Sequence, residues 1–325
     1  MEVLWLKEEE VMSLLTMDEA ISAVQKAFHD HGMGQVQMPP KSYLNFSKYG
    51  GDLRTMPAYL MEQDLAGVKI VNVHTANPEK GLPTVMALVI LNSPQTGEPL
   101  AAMGGTSLTA MRTGAAGAVA AKALARRNSR IVGMIGAGVQ ARTQLLGLSR
   151  CFEIDRVLIF DSLESRSLSL KEEIRRFLDC DCKIVPTGRQ ACRSDILVTT
   201  TPTRHPVVED SWISPGTHIN AIGADAAGKQ ELASSLTLRA KVVVDDMAQA
   251  VHSGEVNVPI SQGLLHPESI HAQLGEILTG KKPGRTDEDE ITIFDSTGLA
   301  IQDVAVGHAV YRKALSQGLG LRLLL

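Results

Sequence analysis

No apolar run in this chain is long enough to cross a bilayer. The longest, residues 85–91, falls far short of the roughly 20 residues that a helical span requires. An excess of positive charge is missing as well. The 32 lysines and arginines against 36 acidic residues leave a net charge of −4, and no basic stripe offers itself to a nucleic acid. Cysteine is scarce: Cys151, Cys180, Cys182 and Cys192 form no disulfide framework. Cys180 and Cys182, two apart, could supply two metal ligands, but no histidine cluster joins them. They read as reduced thiols, and no metal is expected. No secretory leader is legible ahead of the first predicted helix, so a cytoplasmic protein is expected. Internal repeats and low-complexity tracts are absent too. What remains is a chain of 325 residues, enough for two domains with ample core.

The stretch around residues 129–161 organises the rest. Arg130-Ile131-Val132-Gly133-Met134-Ile135 reads as a buried strand, short, apolar and β-branched. It runs into Gly136-Ala137-Gly138-Val139-Gln140-Ala141, a G-x-G-x-x-A loop opening a helix. The first glycine permits the tight turn and the second lets backbone approach a pyrophosphate. The alanine lets helix and strand pack closely, and the helix N-terminus offers N–H groups and the positive end of its dipole. A second strand, residues 156–160, ends on Asp161, where a carboxylate would accept ribose hydroxyls. Spacing of this kind predicts an NAD site. An ordinary glycine-rich turn would not require the acid at that distance.

Around this stretch the chain divides in character. Residues 17–31 read as a helix, with a capping box between Thr16 and Glu19 and with Ile21, Val24 and Phe28 on one face. Met38-Pro39-Pro40 then forces extended backbone. Strand-like pieces follow at 42–46, 53–60, 67–74, 84–91 and 100–104, separated by turn residues, an antiparallel pattern. Residues 107–127 form a helix rich in Ala and Gly, able to lie close to a neighbour or a cofactor. Beyond the glycine loop strands and helices alternate, which predicts a parallel doubly wound sheet with ligands at the carboxyl ends of its strands. By position, the loops beginning at Thr200 and Gly223 are site loops. A last strand at 291–294 leads into Asp295-Ser296-Thr297-Gly298 and a helix at 299–315. Residues 283–290, charged and rich in turn formers, are the expected flexible loop.

Several strings converge on one family. Gly67-Val68-Lys69-Ile70-Val71-Asn72, Gly81-Leu82-Pro83-Thr84, Leu108-Thr109-Ala110-Met111-Arg112-Thr113-Gly114, the glycine loop, and Ile222-Gly223-Ala224-Asp225 with Gly228-Lys229 resemble the ornithine cyclodeaminase/mu-crystallin family. Within it, the segment from Asp225 to Leu232 and the run from Ile293 to Asp303 resemble most the archaeal alanine dehydrogenase branch. The resemblance implies an α/β chain with two domains. A Rossmann domain with a doubly wound parallel sheet, residues 114–303, would bind NAD. An α+β domain, residues 1–113 with 304–325, would bind a small amino-acid or keto-acid substrate and form a homodimer. The implied activity is NAD-dependent oxidative deamination of L-alanine. The family also contains cyclodeaminases, cyclic ketimine reductases and non-catalytic NAD(P)H-binding proteins.

The same resemblance assigns roles. Arg112 matches the carboxylate-binding arginine, a guanidinium able to grip a carboxylate through two parallel bonds. Lys41 falls where relatives carry a second cation for that carboxylate. Lys69, in an apolar strand, matches a catalytic lysine whose pKa would fall on burial beside another cation. On sequence alone it reads more readily as a strand lysine pointing to solvent, and the resemblance reverses that order. Asp225 matches the general base; its plain alternative is a helix cap. Thr84, Thr113, Thr200, Lys229, Ser296 and Thr297 match positions near the cofactor. Arg54 departs from the cyclodeaminase pattern, which has a glutamate there for the distal ammonium of ornithine. A cation would repel that ammonium by roughly 1–4 kcal/mol at ~4 Å and favours a small, uncharged side chain.

Overall fold

Alternation in sequence becomes two faces in space along the strand Gly51–Leu60, where Arg54, Met56, Ala58 and Leu60 are buried and the residues between them are half exposed. The same period of two runs through Leu65–His74 and Val85–Asn92, burying Lys69 and Val71, and then Val89 and Leu91. These faces meet the helix Ala300–Gln317, which is buried along Ala300 to Gly307 and at Val310 and Ala314. Each large aliphatic side chain so enclosed contributes roughly 1.5–3 kcal/mol.

The structure, a computed structural model, describes all 325 residues. They divide into two compact units, Met1–Arg112 with Leu299–Leu325, and Thr113–Gly298. The division differs from the sequence expectation in two places. Residues 299–303 belong with the first unit, because Ala300–Gln317 is one unbroken helix. Thr113 belongs with the second, the boundary falling inside the helix Thr106–Leu124.

The first unit is built on an eight-stranded sheet. In spatial order it runs Leu321–Leu324, Glu2–Leu6, Pro99–Gly104, Val85–Asn92, Leu65–His74, Gly51–Leu60 and Val36–Gln37, with Ser42–Phe46 also paired to Gly51–Leu60. Every pairing is antiparallel except that of Glu2–Leu6 with Pro99–Gly104. Glu2–Leu6 and Leu321–Leu324 escape a reading by local pattern because only partners distant in sequence make them strands. The helix Met17–Gly32 begins as expected: the Thr16 hydroxyl accepts from the Glu19 N–H and the Glu19 carboxylate accepts from the Thr16 N–H.

The second unit carries eight parallel strands in the order Asp181–Ile184, Arg156–Phe160, Ile131–Ile135, Ile196–Thr199, His218–Ala221, Thr292–Asp295, Lys241–Val244 and Ala272–Gln273. The order reverses beside Ile131–Ile135, so the glycine loop that follows it stands at the switch point where doubly wound sheets bind ligands. The small residues of Thr106–Leu124 serve a protein neighbour: a Cβ on Gly114 would lie 2.2 Å from the carbonyl oxygen of Thr143 on the helix Val139–Leu148. Residues 283–290 are pinned rather than loose. The Arg285 guanidinium donates to the carbonyls of Leu124, Gly216, Asp287 and Glu290, and Lys241 donates to Glu290.

Candidate active site

In the second unit, the strand Ile131–Ile135 delivers Gly136 at φ 93°, a backbone state that side chains rarely adopt. A Cβ there would also lie 2.8 Å from Thr200 Oγ1. Gly138 caps the helix Val139–Leu148 with no side-chain bond to its first turn. The first-turn N–H groups thus lack a capping acceptor, with Val139 and Gln140 the first residues of that helix. Asp161 accepts from the Ala137 N–H at 2.8 Å and from the Leu163 N–H at 2.9 Å. It holds the glycine loop as well as standing at the strand end. Thr200 Oγ1 donates to the Gly136 carbonyl at 3.3 Å. A bare helix N-terminus, a loop shaped for close backbone approach and an acid at the end of the neighbouring strand form a set that fits a dinucleotide.

Further strand ends supply the remaining expected residues of this unit. Asp225, beyond His218–Ala221, pairs with Lys229 at 2.5 Å. Thr297 Oγ1 donates to Asp245 at 2.9 Å, and the Gly298 N–H donates to the same carboxylate at 2.7 Å. Ser296 is buried, and its hydroxyl has no protein partner. The Thr113 carbonyl accepts from Gln144 Nε2 at 2.8 Å.

The first unit gathers the cations. Lys69 points inward, 1% exposed, and its Nζ lies 2.8 Å from both carboxylate oxygens of Asp303. Arg112 donates through Nε to the same carboxylate at 3.0 Å and through Nη1 to Gln302 Oε1 at 2.8 Å. Burial first, then the Arg112 guanidinium, pulls the Lys69 ammonium down to about 7; Asp303 opposes the fall and Lys41 adds to it. A lysine in this state exchanges protons near neutral pH. Arg54, also buried, is held by Asp52 through two bonds of 3.0 and 2.9 Å, with the Tyr43 ring 5.3 Å from its guanidinium carbon. The repulsion expected of the Arg54 cation is reduced, because the Asp52 carboxylate paired with it balances its charge. Thr84 stands just ahead of Val85–Asn92, its carbonyl accepting from the His74 N–H.

Asp303 and Gln302 are the residues that sequence reasoning passed over. They lie at the start of Ala300–Gln317, where the helix dipole favours an anion. An acid in the first turn of a helix, followed by Val304, Ala305, Val306 and Gly307, gave no reason to look for two cations around it.

A parallel doubly wound sheet with such a glycine loop makes the second unit a Rossmann-type dinucleotide-binding unit, and the whole an enzyme of the dehydrogenase class. More narrowly, the chain belongs to the ornithine cyclodeaminase/mu-crystallin family, whose pattern matches residues 1–318. It is 54% identical to alanine dehydrogenase of Archaeoglobus fulgidus over 98% of both chains. A solved archaeal alanine dehydrogenase dimer with bound NAD superposes with a TM-score of 0.96 at 53% identity, covering 100% of both chains. Thermococcus litoralis Δ1-pyrroline-2-carboxylate reductase, solved with NADH and L-proline, gives a TM-score of 0.97 at 40% identity, covering 99% of this chain and 100% of that one.

Proposed function

We propose that this protein is an NAD-dependent alanine dehydrogenase: L-alanine, water and NAD⁺ give pyruvate, ammonium, NADH and a proton. The observation that carries the reading is the buried Lys69–Asp303–Arg112 cluster, added to the likeness over the full chain to alanine dehydrogenase.

Gly136, Ala137, Gly138, Val139, Gln140, Asp161 and Thr200 would hold the dinucleotide, with Thr84, Thr113, Lys229, Ser296 and Thr297 completing its surroundings. Bound NAD supplies the acceptor for the hydride on the substrate carbon. Arg112 takes the substrate carboxylate in a bidentate grip, with Lys41 as a second cation. Neutral Lys69 accepts a proton from the alanine ammonium, readying the amine. Asp225 takes a proton from the water that adds to the substrate iminium, and Lys69 returns its proton to the departing nitrogen. Arg54, neutralised by Asp52, leaves the side-chain end without a free counter-charge, which suits a methyl group. The four free cysteines fit a reducing cytoplasmic setting, and a homodimer is part of the same reading.

A second reading, reduction of a cyclic ketimine such as pyrroline-2-carboxylate, uses the same groups in reverse and is favoured by the 40% identity to the solved reductase. NADH absorbance separates the two. Consumption with pyruvate plus ammonium, and formation with alanine, support the dehydrogenase. Consumption with pyrroline-2-carboxylate alone gives the place to the reductase, and proline formed from ornithine with catalytic NAD gives it to a cyclodeaminase.

A further inference from the structure

Within the second unit a side chain that no role above employs sits at a junction. Glu231 is fully buried. One carboxylate oxygen, Oε1, accepts from the Thr201 N–H at 2.6 Å and from the Thr201 hydroxyl at 2.7 Å. The other, Oε2, accepts from the Thr199 hydroxyl at 2.7 Å and from the Gly223 N–H at 2.7 Å. Those donors end two neighbouring strands, Ile196–Thr199 and His218–Ala221. On one side the chain leads through Thr200, whose hydroxyl reaches the Gly136 carbonyl of the glycine loop. On the other, Gly223 lies two residues before Asp225. The main chain at Glu231 is itself fixed, since the N–H groups of Glu231 and Leu232 both donate to the buried Glu255 carboxylate. Asn257 holds the span between, accepting from the Gly228 N–H and donating to the Lys229 carbonyl.

We propose that Glu231 is a positioning residue for the deamination: its carboxylate clasps the loops after two strands and so fixes Asp225 relative to the glycine loop. The inference rests on the assignment of Asp225 as the base. Four hydrogens meet this carboxylate and it donates none, so an acid side chain is required there rather than any polar group. Each oxygen serves one hydroxyl, which can turn, and one backbone N–H, which cannot. An amide at 231 therefore sets its NH₂ against the N–H of either Thr201 or Gly223 and frees one side of the clasp. Fully buried, Glu231 touches neither water nor substrate, so its effect reaches the chemistry only through the loops.

The test is a double-mutant cycle on kcat for alanine oxidation, using Glu231→Gln, Asp225→Asn and the pair. Glu231→Gln alone should lower kcat by about tenfold or more, and in the Asp225→Asn background by less than about threefold. Equal losses in both backgrounds, or a lowered melting temperature with kcat unchanged, overturn the clasp. Should Glu231→Gln fail to fold, Thr199→Val removes one of the four bonds and takes its place in the same cycle, with a smaller loss expected in the Asp225 background alone. If Asp225→Asn by itself leaves kcat intact, the assignment of the base fails first, an outcome distinct from multiplicative losses.

Discussion

Lys69 lies between Val68 and Ile70 on a strand whose alternate residues face the helix Ala300–Gln317, and at 1% exposure it is almost wholly shielded from water. An isolated buried ammonium would be too costly to keep. Its survival near pH 7 depends on Asp303, the one anion bonded to both it and Arg112. Replacing Asp303 with Asn keeps the shape and removes the charge. The Lys69 pKa should then fall further below 7, since burial and the repulsion of Arg112 and Lys41 lose their opponent. If neutral Lys69 is the active form, the rise of kcat/KM with pH should move to lower pH by about a unit or more, and KM for alanine should rise as Arg112 loses the negative charge that orients it. A profile whose acidic limb stays in place would remove Lys69 from the proton transfers. The glycine loop was legible locally and the inward lysine only through the family resemblance; Asp303 was not legible at all. It stands 234 residues from Lys69, and only the fold reveals that the two meet.

Among the elements, the strand Gly51–Leu60 carries the correction with most consequence for specificity. Asp52 and Arg54 share that strand and form a bidentate pair, so the wild-type repulsion of a distal ammonium is smaller than Arg54 alone would exert. Arg54→Glu converts a neutral pair into two carboxylates. Binding of ornithine relative to alanine by the NAD-loaded protein should increase by about one to two decades; an unchanged ratio would show that position 54 does not face the substrate side chain. The strand Arg156–Phe160 bears on the choice between NAD and NADP through the acid that follows it. Asp161 is held in place by the Ala137 and Leu163 N–H groups, so its charge cannot swing aside for a 2′-phosphate. Catalytic efficiency should favour NAD over NADP by about tenfold or more, and a preference for NADP would mean that Ser162, Ser165 or Arg166 governs instead. Strand periodicity and turn residues announced most of these elements. They did not announce Glu2–Leu6 or Leu321–Leu324, whose pairing joins the two ends of the chain.

For the whole molecule, the buried acids of the second unit set how stability follows pH. Asp295, fully buried, is pushed up to about 8 by burial first, with Asp245 and Glu231 adding repulsion against bonds from the Glu255 and Val256 N–H groups. Burial likewise raises Glu231 and, more strongly, Glu255. An acid whose folded pKa lies above its unfolded value keeps its proton in the folded state after the unfolded chain has lost it. Its stabilising contribution is complete below the unfolded value of 3.8 and is lost as pH rises through about 8. His218, pulled down to about 3 by burial, works in the opposite sense between there and its ordinary 6.5, so the wild-type profile alone would mix the two. Comparison with Asp295→Asn isolates the acid, because the amide resembles protonated Asp295 and does not titrate. Oδ1 of Asp295 has no partner, so the exchange breaks no bond at that atom. Denaturant midpoints should show the variant already ahead at pH 5, because the wild type begins to lose stability above 3.8. Between pH 5 and 8 it should gain on wild type by up to ~1.4 kcal/mol per pH unit, the equivalent of one proton. A constant difference across that range would show that Asp295 is ionised in the folded protein throughout. The proton would then reside on Glu255, and Glu255→Gln should show the gain in its place.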